Sequence, residues 1–171
     1  MPELFITHST LADIPAVLSL YVSVAAIEGG LARTADEISE VYVRDNISSS
    51  LNRGISLVAR IGDCIVGEIH AFQPIPKVFS HVLSDLTIAV HPAYQGRGIG
   101  RALFCELLQK VTKEHRHILR VELLARESNQ RAIDFYKTLG FEIEGVFKGR
   151  IKGLTGALEA DIPMAWHRLS Q

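Results

Sequence analysis

Apolar and polar positions along the chain change period several times, and each change marks an element. "LFIT" near the start reads as a short strand. Thr10 and Asp13 have capping-box spacing and open a predicted helix over 11–27, which "EGG" ends. Thr34 and Glu37 repeat that spacing, so a second helix is expected over 35–49. "GISLVARIGDCIVGEIHAF" alternates β-branched residues on either side of Gly62-Asp63, which predicts an antiparallel hairpin. The prolines of "QPIPK" mark a loop, and "HVLSDLTIAV" resumes strand character until Pro92 stops it. Over 100–113, Ala102, Leu103, Leu107, Leu108 and Val111 keep a helical period. "HILRVELLA" then reads as a strand. "SNQRAIDFYKTLG" reads as a helix capped by Ser128 or Asn129 and stopped by Gly140. "FEIEGVF" is a further strand, and "ALEADIPMAW" a last one after the turn-like "KGLTG".

The predicted order is strand, two helices, three strands, helix, strand, helix, two strands, a mixed α/β layout. The strand at 82–90, the helix after it and the strand at 118–125 form a βαβ crossover, whose two strands must run parallel. No internal repeat, low-complexity segment or linker divides the chain. Its 171 residues suit one domain, 1–171, with a full hydrophobic core.

Composition narrows the function classes. With 47% apolar residues, 22% charged residues and a formal net charge of −1, the chain has ordinary globular composition. That balance gives no support to a nucleic-acid or anionic-membrane surface. Cys64 and Cys105 cannot make a disulfide framework and form no CxxC pair, so they are read as buried thiols in a reducing compartment. "MPELFITHST" lacks a basic region followed by an apolar run, so no signal peptide is expected. The longest mostly apolar stretch, 14–27, is broken by Pro15, Ser19 and Ser23 and falls short of the ~20 residues a membrane span needs. The expected location is the cytoplasm.

One stretch asks for a chemical explanation. In "HPAYQGRGIGRAL", glycines stand at positions 96, 98 and 100, between a strand and a helix. The first N–H groups of a helix have no intrahelical acceptor, and the helix dipole adds positive potential there. Glycines let an anion approach such an end, and Arg97 and Arg101 add charge at its rim, so the stretch suits phosphate. A Walker loop needs GxxxxGK[ST], which is absent. A dinucleotide fingerprint counted from Gly96 puts Arg101 where its last glycine belongs. A tight turn with no ligand is the plain alternative.

"QGRGIG" resembles the Gln/Arg-x-x-Gly-x-Gly/Ala loop of the GNAT superfamily of acetyl-CoA-dependent N-acetyltransferases. "LTIAVHPAYQGRGIGRAL" is similar to that family's strand and loop, "ESNQRAIDFYKTLGFEIEG" to its Asn-x-x-Ala-x-x-Phe-Tyr-x-x-x-Gly-Phe segment, and "ITHSTLADIPAVLSL" to its usual opening. The resemblance covers nearly the whole chain. It implies a central, mostly antiparallel sheet of about seven strands, with strands four and five parallel and splayed, flanked by about four helices. It also implies acetyl-CoA as co-substrate. The pyrophosphate would lie on residues Gln95, Gly96, Arg97, Gly98, Ile99, Gly100 and Arg101, and the pantetheine arm and thioester near Ile88, Ala89 and Val90. An N–H near Ile88 would polarise the thioester carbonyl. Asn129 matches a position that contacts the cofactor arm, although a helix cap explains it equally well.

Acetyl transfer to an amine poses two proton problems. Tyr136 matches the family tyrosine that protonates the leaving sulfur; on its own helix it also reads as a core aromatic. The acceptor, mostly ammonium near neutral pH, must lose a proton. The candidates are Glu68 and His70, which share a strand face, together with Asp85 and Glu122; Glu68 and Asp85 are preferred. Each also reads as an ordinary strand residue, and the family's usual glutamate position falls near Ser84. His115 and His117 read as surface residues, and no histidine spacing suggests a metal, which this chemistry does not need.

For the acceptor, Glu28 suits an ammonium and Arg33 a carboxylate, and the ending "EGVFKGRIKGLTGALEADIPMAW" resembles members that acetylate small amines and amino acids, the phosphinothricin-resistance type among them. A small-molecule amine or amino acid is therefore the expected partner, and the family implies a homodimer. A protein N-terminal or lysine acetyltransferase stays open, as do a non-catalytic acyl-CoA sensor and a dinucleotide oxidoreductase.

Overall fold

A computed structural model describes residues 3–27, 29–153 and 155–168. Strand β1 (Leu4–His8) leads through a single 3-10 turn into α1 (Ile14–Ala25), and α2 (Glu40–Arg53) follows. Next come β2 (Gly54–Ile61), β3 (Cys64–Phe72) and β4 (Val82–Val90), then α3 (Ile99–Lys113), β5 (Arg120–Arg126) and α4 (Gln130–Thr138). β6 (Glu142–Ile143), β7 (Phe147–Lys152) and β8 (Leu158–His167) complete the sheet. The strand order is β1-β2-β3-β4-β5-β8-β6, with β7 also on β8.

The hairpin and the crossover form as expected. Ile61 pairs with Cys64 across Gly62-Asp63, where Gly62 takes the left-handed conformation (φ +58°) that a two-residue turn requires. β4 and β5 are parallel, and every other recorded pairing is antiparallel. The parallel contact is brief. Val82 pairs with Arg120 and Leu83 with Val121, after which the two strands part.

Strand alternation sends side chains to two helical layers. Leu57, Ile69, Leu83 and Val121 face Leu103, Phe104 and Leu107 of α3, together with Ile133 of α4. Val58 and Ala89 instead face Ile14, Val17, Tyr21, Val43 and Ile47 of α1 and α2. On that second face the two helices stop short of β5 and β8, which leaves Leu124 and Phe147 exposed.

Three expectations need correction. The Thr34–Glu37 capping box forms, but it caps only a single 3-10 turn, Ala35–Glu37. Ile38 then turns extended (ψ 109°) and is buried, and Ser39 opens α2 by accepting a hydrogen bond from the Tyr42 N–H at 3.2 Å. The expected single strand over 141–147 is divided into β6 and β7, which brings the sheet to eight strands. Between Ile143↔Met164 and Phe147↔Asp161 this side advances four residues while β8 advances three, a bulge that local pattern does not encode. Cys64 and Cys105 are exposed, not buried. Cys64 stands at the hairpin turn, and Cys105 lies off the face by which α3 buries Leu103, Phe104 and Leu107.

Candidate active site

The loop after β4 is tied down at its start. His91 Nδ1 accepts from the Ala93 N–H at 3.2 Å, and Gln95 Nε2 donates to the Val90 carbonyl at 3.2 Å. Gly96 (φ +75°) and Gly98 (φ +80°) then take left-handed conformations that a side chain would strain, and Gly98 is the N-cap of α3 with no side chain to cap it. The Ala102 N–H is the first to return into the chain, to the Gly98 carbonyl at 3.0 Å. The N–H groups of residues 96–101 make no hydrogen bond among the described residues. They form a cradle of donors at the positive end of a 15-residue helix. Arg97 lies over the Tyr94 ring (5.1 Å), and Arg101 reaches α4, where it donates to Thr138 Oγ1 at 2.8 Å.

β4 continues this array of free groups. In an antiparallel pair each residue's N–H and C=O point to one neighbour, and the side alternates along the strand. The His91 N–H donates to the Val66 carbonyl on the β3 side, so Ala89 also points there. Ile88 and Val90 therefore direct their backbone groups to the opposite edge, where β5 has already left. The Ala89 side chain is buried beneath α1 and α2, while Ile88 and Val90 pack toward α3 beside Gly100.

A cleft of about 650 Å³ begins where the β4–β5 pairing ends. Its walls are residues 84–87 of β4, residues 122–124 of β5, the start of α2 with the loop before it, and Phe147, Pro163 and Met164. Asp85 sits on its rim in a bulge. His70 pairs with Thr87 and Phe72 with Ser84, so β4 carries one extra residue, and Asp85 holds φ +52° there. Glu122 lines the cleft but is bonded to Arg120 at 2.8 Å. Arg33 lines it with its guanidinium 4.2 Å from the Tyr42 ring centroid and in no ion pair among the described residues. Asn46 lines it too, and its buried Nδ2 has no hydrogen-bond partner among the described residues. Glu28 lies outside the described residues.

Both Glu68 (0% exposed) and His70 (1%) are buried, but His70 belongs to the cleft lining and Glu68 does not. Tyr136, on α4, is enclosed by Phe104, Phe135 and Phe141, with ring centroids 5.4, 5.6 and 6.2 Å away. Burial pushes its hydroxyl pKa up to about 12. Asn129 is the α4 N-cap, with Oδ1 accepting from the Ala132 N–H at 3.2 Å, and it also lines a second cleft of about 540 Å³. His115 and His117 lie beside Gln73 on a small third cleft, away from the parted strands.

Sequence reasoning missed three participants: Tyr21, Asn46 and the Arg120–Glu144 pair. Tyr21 reads as one more apolar position of α1, and only its hydroxyl, which needs a partner when buried, signals more. Arg120 bonds Glu144 through both oxygens and, with a smaller contribution from His167, holds that carboxyl at about 2 instead of 4.5. A lowered native pKa stabilises the fold above the unfolded value and stops doing so as pH falls toward the native one. Arg120→Gln should therefore reduce the loss of stability between pH 4.5 and 2, read from thermal melts across that range.

Comparison with known proteins agrees with this geometry. The model of the Acetyltransferase (GNAT) family matches residues 24–141. An uncharacterized N-acetyltransferase of Methanocaldococcus jannaschii is 45% identical over 65 residues, 38% of this chain and 28% of that protein. The [ribosomal protein bS18]-alanine N-acetyltransferase of Escherichia coli is 39% identical over 75 residues, 44% of this chain and 49% of that one. The chain thus spans at most about half the length of these two relatives. Among solved structures, a Streptococcus mutans protein superposes with a TM-score of 0.80 at 26% identity, covering 95% of this chain and 98% of that one. A Sinorhizobium meliloti phosphinothricin acetyltransferase, solved in complex with acetyl-CoA, has the same fold: TM-score 0.81 at 18% identity, covering 98% of this chain and 89% of that one. A family match that includes β4, the glycine cradle and the Asn129–Phe141 segment, on a sheet parted at the expected strands, leads to one assignment. The chain belongs to the Acetyltransferase (GNAT) family.

Proposed function

We propose that this chain is an acetyl-CoA-dependent N-acetyltransferase that acetylates the primary amine of a small molecule or amino acid by direct attack in a ternary complex. One observation carries the reading: the N–H groups of residues 96–101, free among the described residues, continue into the β4 edge at Ile88 and Val90 that β5 has left, which leads to the cleft. The cradle suits a pyrophosphate, and an extended amide-bearing arm suits the strand edge. Gln95 through Arg101 would hold the first, and Ile88, Val90 and Asn129 the second. Arg97, which lies on the surface, would add charge at the rim. Bound there, acetyl-CoA supplies an acyl thioester activated for transfer. The Ile88 N–H lies on the edge where an oxyanion donor is needed, and Tyr136 holds a proton for the departing sulfur.

The cleft favours a small acceptor. Arg33 brings a donor to the lining, suited to a carboxylate, and Leu124, Phe147 and Pro163 add apolar surface. The E. coli relative named for a ribosomal-protein alanine supports a second reading, a protein N-terminus as acceptor. A panel of free amino acids and small amines run beside N-terminal and lysine peptides separates the two. Higher kcat/KM for free amino acids is expected, and preference for the peptides would replace this acceptor with a protein. Reducing surroundings suit the two exposed thiols, in keeping with a cytoplasmic enzyme.

The cradle makes its own prediction. Gly98→Ala forces a side chain into a left-handed site at a cost of about 1–2 kcal/mol. If the loop relieves that strain by moving, acetyl-CoA should bind about tenfold more weakly by calorimetry.

A further inference from the structure

We infer that His70 is the catalytic base that takes the proton from the acceptor ammonium, with Glu68, Tyr21 and Ser56 as residues that position and charge-balance it. This rests on the proposed acetyl transfer. A protonated amine gives up two protons in becoming an amide. One leaves with the sulfur as a thiol, and the other must be accepted inside the site and passed to solvent.

The buried polar cluster behind the cleft has the parts for that second proton. Glu68 is an acceptor for three donors: the Tyr21 hydroxyl, Ser56 Oγ at 3.1 Å, and His70 Nδ1 at 3.1 and 3.2 Å from its two oxygens. Ser56 Oγ in turn lies 2.6 Å from Ser9 Oγ, which satisfies the chain at its far end. Burial, and next the adjoining Glu68 charge, hold the Tyr21 hydroxyl protonated well above the phenolic range, so Tyr21 stays a donor. With Tyr21 donating to Glu68, His70 Nδ1 must carry its hydrogen toward Glu68 and the Tyr21 oxygen, 3.0 Å away. This fixes the tautomer. The lone pair then belongs to Nε2, which makes no hydrogen bond among the described residues, on a ring that lines the cleft. When Nε2 takes a proton, the imidazolium charge lies against a buried carboxylate that compensates it.

Position supports the same role. His70 pairs with Thr87, next to Ile88, so it stands one strand from the edge where the acyl group is expected. The rival carboxylates are less suited: Glu122 is committed to Arg120, and Asp85 is exposed on the rim. The Phe72 ring lies parallel to the imidazole, at 6°, with centroids 6.2 Å apart. The charged and titratable groups around it are Glu68 on β3, Tyr21 on α1, Tyr42 with Arg33 above it, Arg53 over Phe72, Asp85 on β4, Arg120 with Glu122 on β5, and Glu144 bonded to Arg120.

The test uses the intact protein with its best acceptor from the panel. His70→Gln should lower kcat/KM about 100-fold near neutral pH while acetyl-CoA affinity is unchanged, and the deficit should close as pH passes the acceptor's own pKa. With an O-alkylhydroxylamine, already neutral at pH 7, the variant should approach wild-type rates. A deficit equal at every pH and for both acceptors would make His70 structural and overturn the inference, as would no deficit at all. Should His70→Gln fail to fold, Glu68→Gln keeps the cluster's shape and removes its charge. It should lower kcat/KM for the amine near neutral pH and leave the O-alkylhydroxylamine rate near wild type, and an unchanged rate with the amine overturns the relay. Wild-type protein that acetylates no amine removes the proposed function and this inference together; indifferent variants in an active enzyme remove this inference alone.

Discussion

Tyr136→Phe is expected to lower kcat about 100-fold while acetyl-CoA binding stays at the wild-type level. The substitution removes one oxygen and keeps the ring that packs against Phe104, Phe135 and Phe141. Its hydroxyl makes no hydrogen bond among the described residues, so the variant should melt at the wild-type temperature. Loss of turnover in a protein of unchanged stability and cofactor affinity leaves proton donation as its cause. Burial raises the hydroxyl to about 12, and an acid works only while protonated. Wild-type kcat should therefore show no alkaline fall from this group up to pH 10. Steady-state kinetics with calorimetric binding checks both points, and a kcat equal to wild type would take Tyr136 out of the chemistry.

Phe104→Ala should be the most damaging core change, lowering unfolding free energy by about 3–5 kcal/mol in urea titrations. Phe104 is 0% exposed and joins α3 to α4 and to Phe141 beyond it by edge and tilted contacts with Phe135, Tyr136 and Phe141, at 5.7, 5.4 and 5.9 Å. The ring also supports the site, because the tyrosine hydroxyl is held where these aromatics place it. A destabilised but folded Phe104→Leu variant should thus lose kcat as well as stability. Wild-type stability in Phe104→Ala would mean that the α3–α4 contact is not what holds this side of the sheet.

The parts of the fold written in local rules were legible in the chain. Gly62-Asp63 between alternating strands makes the hairpin, and glycines 96, 98 and 100 at a strand-to-helix junction make the cradle. What failed depended on distant partners. Two capping boxes of equal spacing had different outcomes, because Ile38 leaves the helical path to bury its side chain. The strand over 141–147 is divided by its register on β8, and the thiols of Cys64 and Cys105 are exposed by where the turn and the helix face fall. The site shows the same contrast. Period-two spacing put Glu68 and His70 on one face, but nothing nearby reveals Tyr21, which reaches Glu68 across 47 residues. Bonded to that partner, Glu68 stays out of the cleft lining, to which His70 belongs.

Amine-dependent release of free thiol from acetyl-CoA, with mass spectrometry of the acceptor in the same reaction, tests the central claim most directly. One thiol per N-acetylated amine, with no release when the acceptor is omitted, is the predicted result. Tight acetyl-CoA binding with no thiol released by any amine, amino acid or peptide would contradict it, and would make the chain a sensor built on an acetyltransferase fold.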